Sequence, residues 1–442
     1  MFVYAFLLVI LICTACFYSI DIQFLKQLKL TTKSKKNSYS QQRVFKKQII
    51  SGPIITGIWP YGPNNQIQSA LELLTIAKYF NATSYISPFY PHWTHDNSKN
   101  VTIDPKLTLN LKAISHYQDL ISLNEFKANC GDSKKTLTVI KTHVSVDIPS
   151  NIQRIHDFER VIGITDLINL IDYKNIDTLF DENSETLADT CIIIVFPFNL
   201  IPTEHECDHF KSKSKRRKTC DIEPKMSVNQ GKNNNNPFRI HPCSECRQFS
   251  ELVTKLSKEF KEKTIFSVTT ETPRFHVGIH WRYDKHDYCN VFNNGHTKLS
   301  DVSSFKRKKY KICERIQNVD KFELAARLCD YYTRGRFEKR NANFGYLYFA
   351  TADKRLAYEI KDVFDESGCD LMLVGRTELD GFLQKHGAVQ GFEECVYEEV
   401  LSMVEQELIA SSRMLMLSQE STFSKRIASV SQTNKMFDVL SL

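Results

Sequence analysis

Several features that mark common function classes are missing from this 442-residue chain. The formal net charge is +7, yet no basic stripe interleaved with aromatics is present on which bases could stack. Much of the excess sits in one run, Lys211, Lys213, Lys215, Arg216, Arg217 and Lys218, and in the lysines after the first hydrophobic segment. Such a run reads as a solvated loop, so nucleic acid is not an expected partner. Cys243-Ser244-Glu245-Cys246 is a CxxC with His209 and His241 nearby. No second CxxC or spaced HxxxH accompanies it, which favours disulfides over zinc. No retrieval signal of the KDEL type closes the chain, which ends Leu440-Ser441-Leu442.

What is present is ordinary for a globular body: 25% charged residues and 42% apolar ones, on a length that suggests two domains with separate cores. The stretch from Phe2 to Tyr18 is uncharged and largely apolar. It reads as a signal peptide or signal anchor over residues 1–21. It lacks the usual positive start, and Ala15-Cys16 is a poor small-residue cleavage site. Lys26, Lys29, Lys33, Lys35 and Lys36 follow it, and an anchor would leave them in the cytosol. The reading leans to cleavage and a lumenal body. Thirteen cysteines fit an oxidising compartment. Two lie in the leader, and the odd remainder leaves at least one thiol unpaired or paired elsewhere. Two sequons, at Asn81 and Asn100, add to a secretory address.

Residues 22–48 are polar and read as a stem. The α/β alternation begins with a strand at Ile54–Ile58 and a turn from Trp59 to Gln66. A helix follows, with Ile67, Ala70, Leu71, Leu74 and Ala77 on one face. Ser84–Ser87 is the next strand, and the β-branched run Cys191–Phe196 is a buried one. Between about 100 and 190 the pattern supports α/β and nothing finer. A basic, Asn-rich insertion occupies 205–247. An amphipathic helix through Phe249, Leu252, Val253, Leu256 and Phe260 follows, then a strand at Thr264–Val268. The first domain thus runs from 49 to 272. The second, 273–442, repeats the alternation: strands at Tyr346–Thr351, Leu371–Val374 and Met414–Leu417, with helices around Leu356–Phe364 and 394–410. A polar turn at Ser418–Ser424 opens a last helix.

The centre of the chain is His276-Val277-Gly278-Ile279-His280-Trp281-Arg282. Apolar and small residues lead into a charged cluster, the look of a buried parallel strand at its carboxyl end. Arg282 can fork two N–H donors onto a phosphate, which lysine cannot match. From these residues alone an exposed arginine in a salt bridge is the stronger reading. At the first turn, Asn65 and Gln66 stand where a helix amino terminus favours an anion or a ligand oxygen. Taken alone, Asn65 reads first as a helix cap. The hydroxyls of the Ser418–Ser424 turn suit a cap, phosphate oxygens or both.

Together these motifs resemble the GDP-fucose protein O-fucosyltransferases, most nearly the type 1 family, which modifies EGF-like repeats. The resemblance rests on order: Gly62-Pro63-Asn64-Asn65-Gln66 plus helix, His276–Arg282, Tyr348-Phe349-Ala350-Thr351 plus helix, then Ser421-Thr422-Phe423. Leu120–Phe126 is similar to that family's "ISLEDF" segment, the sequon at Asn81 sits after the first helix, and Asn236-Pro237-Phe238 follows a Cys207…Cys220 pair. The likeness spans about 50–430. It implies an α/β, GT-B-like fold of two Rossmann-like domains facing across a cleft, with the sugar nucleotide mainly on the second. Gly62, Pro63, Asn64 and Asn65 would form the turn near the fucose. His280, Trp281 and Arg282 would hold the diphosphate, and Thr422 and Phe423 would touch phosphate or base. Glu405 aligns with an acid that accepts from the guanine edge; a solvated helix glutamate is an equal reading. Arg282 and Asn65 carry the catalytic expectation. Disulfides Cys289–Cys313 and Cys207–Cys220 are implied by position.

The implied reaction moves fucose from GDP-fucose to Ser or Thr of EGF-like repeats, with inversion. The expected partners are folded EGF-like domains of Notch-type receptors, and the membrane is met only through an N-terminal anchor. The protein is expected to be a monomer in the endoplasmic reticulum lumen, or the Golgi. Beyond the donor GDP-fucose no cofactor is expected; with no Asp-x-Asp near the proposed site, no metal is either. Other readings are a fucosyltransferase for thrombospondin-type repeats and a non-catalytic chaperone of EGF-like repeats. The pattern departs at three places: Asn64 stands where the family's turn has glycine, Leu417-Ser418 replaces Gly-Asn, and the segment after Arg282 is short. Asp284 and Asp287 are candidate bases by position only.

Overall fold

A computed structural model describes residues 50–91, 101–131, 135–142, 144–175, 187–198, 200, 245–265, 275–282, 289, 311–316, 321–333, 345–351, 354–366, 371–418, 421–433 and 435–439. The leader, the stem, most of the 205–247 insertion, Cys207–Cys220, Asn100, Asp284 and Asp287 lie outside that set.

Among the described residues ten strands form two five-stranded sheets, parallel throughout. The first contains β1 (Ile54–Ile58), β2 (Thr83–Tyr85), β3 (Thr136–Lys141), β4 (Ile171–Asn175) and β5 (Thr190–Val195), in the order β2-β1-β5-β3-β4. The second contains β6 (Val277–Trp281), β7 (Gly345–Thr351), β8 (Leu371–Gly375), β9 (Met414–Leu417) and β10 (Met436–Asp438), in the order β10-β9-β6-β7-β8. In this second sheet the chain leaves β6 on one side to build β7 and β8, then returns to add β9 and β10 on the other. The carboxyl end of β6 is therefore the switch point where open α/β sheets bind ligands.

Eight of the helices pack on these sheets and frame the site: α1 (Pro63–Tyr79), α2 (Pro149–Ile162), α3 (Glu251–Thr264), α4 (Lys321–Thr333), α5 (Lys354–Glu366), α6 (Arg376–Leu383), α7 (Glu394–Ala410) and α8 (Thr422–Val430). Each sheet is covered on both faces, which is why its strands read as unbroken apolar runs. Alternate residues serve different layers. Ile54, Ile58, Cys191 and Ile193 enter one cluster with Phe158 and Ile162 of α2. Ile55, Ile192 and Ile194 enter another. In the second sheet Val277, Ile279 and Trp281 pack with α4 and α5 residues such as Leu328 and Ile360. Tyr348, Ala350 and Leu417 turn the opposite way, into the cluster that Ile55 and Ile192 occupy. A shared apolar layer, built from α1, α3, α6, α7 and α8, thus joins the two sheets.

Gly278 permits the tightest of these contacts. A Cβ there would lie 2.9 Å from Ile409 Cα of α7 and 2.7 Å from Ser412 Oγ. The neighbour is backbone, so α7 could not sit this close to β6 over any other residue. Across the shared layer, Lys261 Nζ of α3 donates to Ser411 Oγ at 3.0 Å, and His386 bonds Glu259 at 2.8 Å.

Several expectations change. The helix through Leu256 does not give way to a strand at Thr264; α3 continues through that residue and Ile265 caps it, while 266–268, the rest of the expected strand, lie outside the described residues. The featureless region 100–190 holds β3, α2 and β4. Its helix shows the usual punctuation, Pro149 in the first turn and Gly163 beyond the end at φ 74°. Cys289–Cys313 is present, with Cα atoms 5.1 Å apart. A second bridge, Cys130–Cys191, ties a short helical segment onto β5. Cys246 is also disulfide-bonded, and Cys395 is a buried free thiol. Among the described residues no helix is long and apolar enough to cross a membrane.

Candidate active site

The site is built from two strand ends. After β1, the chain turns at Tyr61, which is 44% exposed and holds φ 57°. A bulky residue in this region is uncommon and marks a constrained turn. Its ring meets Phe198 edge-on at 5.3 Å. Gly62 then caps α1 without a side-chain bond, and Pro63 opens the helix. Gln66 locks the turn: its Nε2 donates to Tyr61 O and Tyr90 O, both at 2.9 Å. Its Oε1 accepts from Tyr90 N at 2.7 Å.

The asparagines do something different. Neither caps the helix, since Gly62 holds that position; the capping reading of Asn65 is replaced. Asn64 lies inside α1, so the missing glycine costs no strain; the left-handed residue of this turn is Tyr61. Asn64 Oδ1 and Asn65 Oδ1 are buried without hydrogen-bond partners. Buried amide oxygens are normally satisfied, so two at the mouth of one turn are places where a ligand hydroxyl or water can donate.

The second strand end is β6. His280 is 5% exposed. Its Nδ1 and Ser424 Oγ share a 2.7 Å hydrogen bond, and its ring stacks on Phe423 at 4.2 Å. Burial, helped by the nearby Arg282 charge, pushes its pKa down to about 3. The imidazole is thus neutral near pH 7. Ser418 joins the strands: its Oγ donates to His280 O at 3.0 Å and accepts from Arg282 N at 2.9 Å. Its own N–H donates to Ser424 Oγ at 3.1 Å. The Ser418 departure from the family pattern is therefore a staple between β9, β6 and α8. Arg282 emerges half-buried from this network.

Trp281 points the other way. It is buried with Ile312 and Cys313 behind the sheet, so β6 separates it from His280. Glu405 is 3% exposed, which overturns the reading of a solvated helix glutamate. It accepts from Arg376 Nη1 at 2.5 Å and from Tyr348 Oη at 3.2 Å, while Arg376 also bonds Glu398. Burial raises the Glu405 pKa, and Arg376 and Tyr348 work against that rise.

The two strand ends meet through their helices. Asn64, Ile67, Gln68 and Leu71 on α1 face Thr422, Lys425, Arg426 and Ser429 on α8 across a small, partly open pocket. Both sets follow the i, i+3, i+4, i+7 spacing of one helical face. Asn64 and Thr422 thus line opposite walls of one pocket, and Phe423 and His280 continue from the α8 wall into the second sheet. Among the described residues no group of His, Cys, Asp and Glu could hold a metal ion. Asn81 is exposed just beyond α1. The hydroxyls of Ser418 and Ser424, expected to cap a helix or meet phosphate, instead bond His280 and the Arg282 backbone; Arg426 is an addition that the sequence does not announce.

The sequence matches no protein-family model, and no curated protein matches it. The fold does match solved structures. POFUT1 in complex with GDP-fucose aligns with a TM-score of 0.51 at 11% identity, over 88% of this chain and 97% of that one. A second crystal form of that complex gives 0.52 at 10% identity with the same coverage. The apo form gives 0.50 at 10%. The chain has the GT-B-like α/β fold expected from the resemblance of its motifs.

Proposed function

We propose that this protein transfers fucose from GDP-fucose to a Ser or Thr hydroxyl of EGF-like repeats, inverting the sugar's anomeric configuration. The observation that carries the reading is the position of Arg282, at the switch point of the second sheet, on a strand end held by Ser418. The fold shared with POFUT1, whose complex contains GDP-fucose, supports it, as does the order of the four motifs.

The chemistry follows from the charges. The acceptor hydroxyl oxygen forms a bond to fucose C1 while the bond from C1 to the β-phosphate oxygen breaks; GDP departs, and the hydroxyl proton passes to the departing phosphate or to water. Negative charge grows on that phosphate. A guanidinium fixed beside it stabilises the transition state more than the ground state. A diphosphate leaving group needs no carboxylate pair of the kind that glycosidases use. His280, buried and neutral, adds no charge; its role is to set the end of β6 against α8. Asn65 Oδ1 accepts a hydrogen bond from the acceptor hydroxyl or a sugar hydroxyl and so orients it. Glu405 would take the guanine edge only by sharing itself with Arg376.

Incubating the purified protein with GDP-fucose and a folded EGF-like repeat tests this. Fucose on the repeat, seen by mass spectrometry, should fall by about 10²–10³-fold in Arg282→Ala. Equal transfer by that variant would contradict the proposal. Repeat binding without transfer by the wild type would point to a chaperone instead, and transfer to thrombospondin-type repeats alone would move the acceptor.

A further inference from the structure

We propose that Arg426 binds a phosphoryl oxygen of a ligand lying between α1 and α8. Its side chain is 5% exposed and lines the pocket with Asn64 and Thr422. None of its three guanidinium nitrogens has a hydrogen-bond partner. The charged groups acting on it are Arg247, which disfavours its charge, and Glu407, which favours it. The Phe249 ring lies 4.9 Å from the guanidinium carbon. Burial and Arg247 bring its pKa down to about 9, so it still carries its proton near neutral pH.

A guanidinium has five N–H donors and no acceptor. A cation kept almost wholly from water with none of those donors used is rare in a native protein, because removing its hydration is costly. An aromatic face offers it charge stabilisation but no oxygen. The matching ligand atom is an anionic oxygen, for which the guanidinium fork is well shaped. Across the pocket, the unpartnered Asn64 Oδ1 calls for a donor. A phosphoryl group attached to a hydroxylated sugar meets both demands at once, and the adjacent Lys425 adds charge of the same sign. Identifying this phosphoryl group with the diphosphate of the donor rests on the fucosyl-transfer reading; the anion site itself does not. On that reading the diphosphate lies between two guanidinium groups, Arg282 on β6 and Arg426 on α8.

The test uses the full-length protein and isothermal titration with GDP, guanosine and inorganic phosphate. In Arg426→Gln, GDP affinity should drop by about tenfold or more, with guanosine affinity unchanged. The ligand-free variant should melt at the wild-type temperature or above it, because an unmatched buried charge has been removed. A lower melting temperature with unchanged GDP and phosphate affinities would show a purely structural cation and overturn the proposal. GDP binding that needs Arg282 but not Arg426 would also overturn it, leaving the fucosyl-transfer reading intact. Phosphate binding that needs Arg426, in a protein that does not bind GDP, would uphold the anion site and sink that reading. Binding of neither ligand by the wild type overturns both. Should Arg426→Gln fail to fold, Arg426→Lys keeps the charge but loses the fork. Its GDP affinity should fall severalfold, and an unchanged affinity overturns the proposal.

Discussion

β1 and β6 are the first strands of their sheets in chain order, yet their carboxyl ends are finished differently. At the β6 end, Ser418 and Ser424 pair with His280 and with the Arg282 backbone. At the β1 end the backbone is pinned by Gln66, but Asn64 Oδ1 and Asn65 Oδ1 are buried and unused. One wall is a completed network that presents a charge. The other is a rigid turn that presents open acceptors. A glycosyl transfer makes two such demands: a fixed cation for the leaving group, and uncharged oxygens to orient hydroxyls.

The contrast can be broken by mutation. The largest effect should come from the covalent brace of the first sheet. Replacing Cys130 and Cys191 with serine should cost about 2–5 kcal/mol in denaturant unfolding. GDP affinity under native conditions should hardly move, because that bridge lies on the opposite face of the first sheet from the shared layer.

Next in size is Ser418→Ala, which leaves Arg282 N–H and His280 O without their partner. A loss of about 1–3 kcal/mol is expected, together with weaker GDP binding. A change in affinity without a change in stability would mean that the network is not what holds Arg282.

The pH dependence separates the walls further. Unfolded, His280 takes up a proton near its ordinary value of 6.5; folded, it does so only near 3. Between those values the unfolded chain binds more protons, so stability is present above about 6.5 and is lost as pH falls. His276, lowered to about 4 by burial and Arg413, acts with the same sign. His280→Asn should remove up to about 1.4 kcal/mol per pH unit from that slope, measured by urea unfolding between about pH 7 and pH 5.

The smallest effect on stability belongs to Asn65→Ala. Because Asn65 Oδ1 has no partner, its removal should leave stability unchanged or raise it by up to about 1 kcal/mol. Fucose transfer should fall all the same. If stability drops as it does for Ser418→Ala, the two walls are alike and the contrast fails.

Much of this could be read from the sequence where a strand is buried on both faces. Ile54–Ile58, Cys191–Val195 and Val277–Trp281 are runs that only a covered parallel sheet accommodates. The edge strand β4, Ile171–Asn175, lacks such a run. Helix α2 is marked in the sequence only by Pro149 at its start and Gly163 beyond its end. The candidate site could be outlined where its residues sit in one stretch, as with His280, Arg282, Thr422 and Phe423. It was opaque where the partner is distant. Ser418 lies 138 residues from the His280 carbonyl that it bonds, and Ser424 lies 144 from His280; no local pattern announces either pairing. The side of β6 that Trp281 takes follows from period-two alternation with His280. Glu405 looked ambiguous because its partner Arg376 opens α6, a helix the hydrophobic pattern did not reveal.

A structure of the full-length protein with GDP bound tests the central claim most directly. The account predicts a β-phosphate oxygen at about 2.7–2.9 Å from the Arg282 guanidinium, with the nucleotide along the carboxyl edge of the second sheet. GDP bound elsewhere, or bound there with Arg282 turned away from both phosphates, would contradict it.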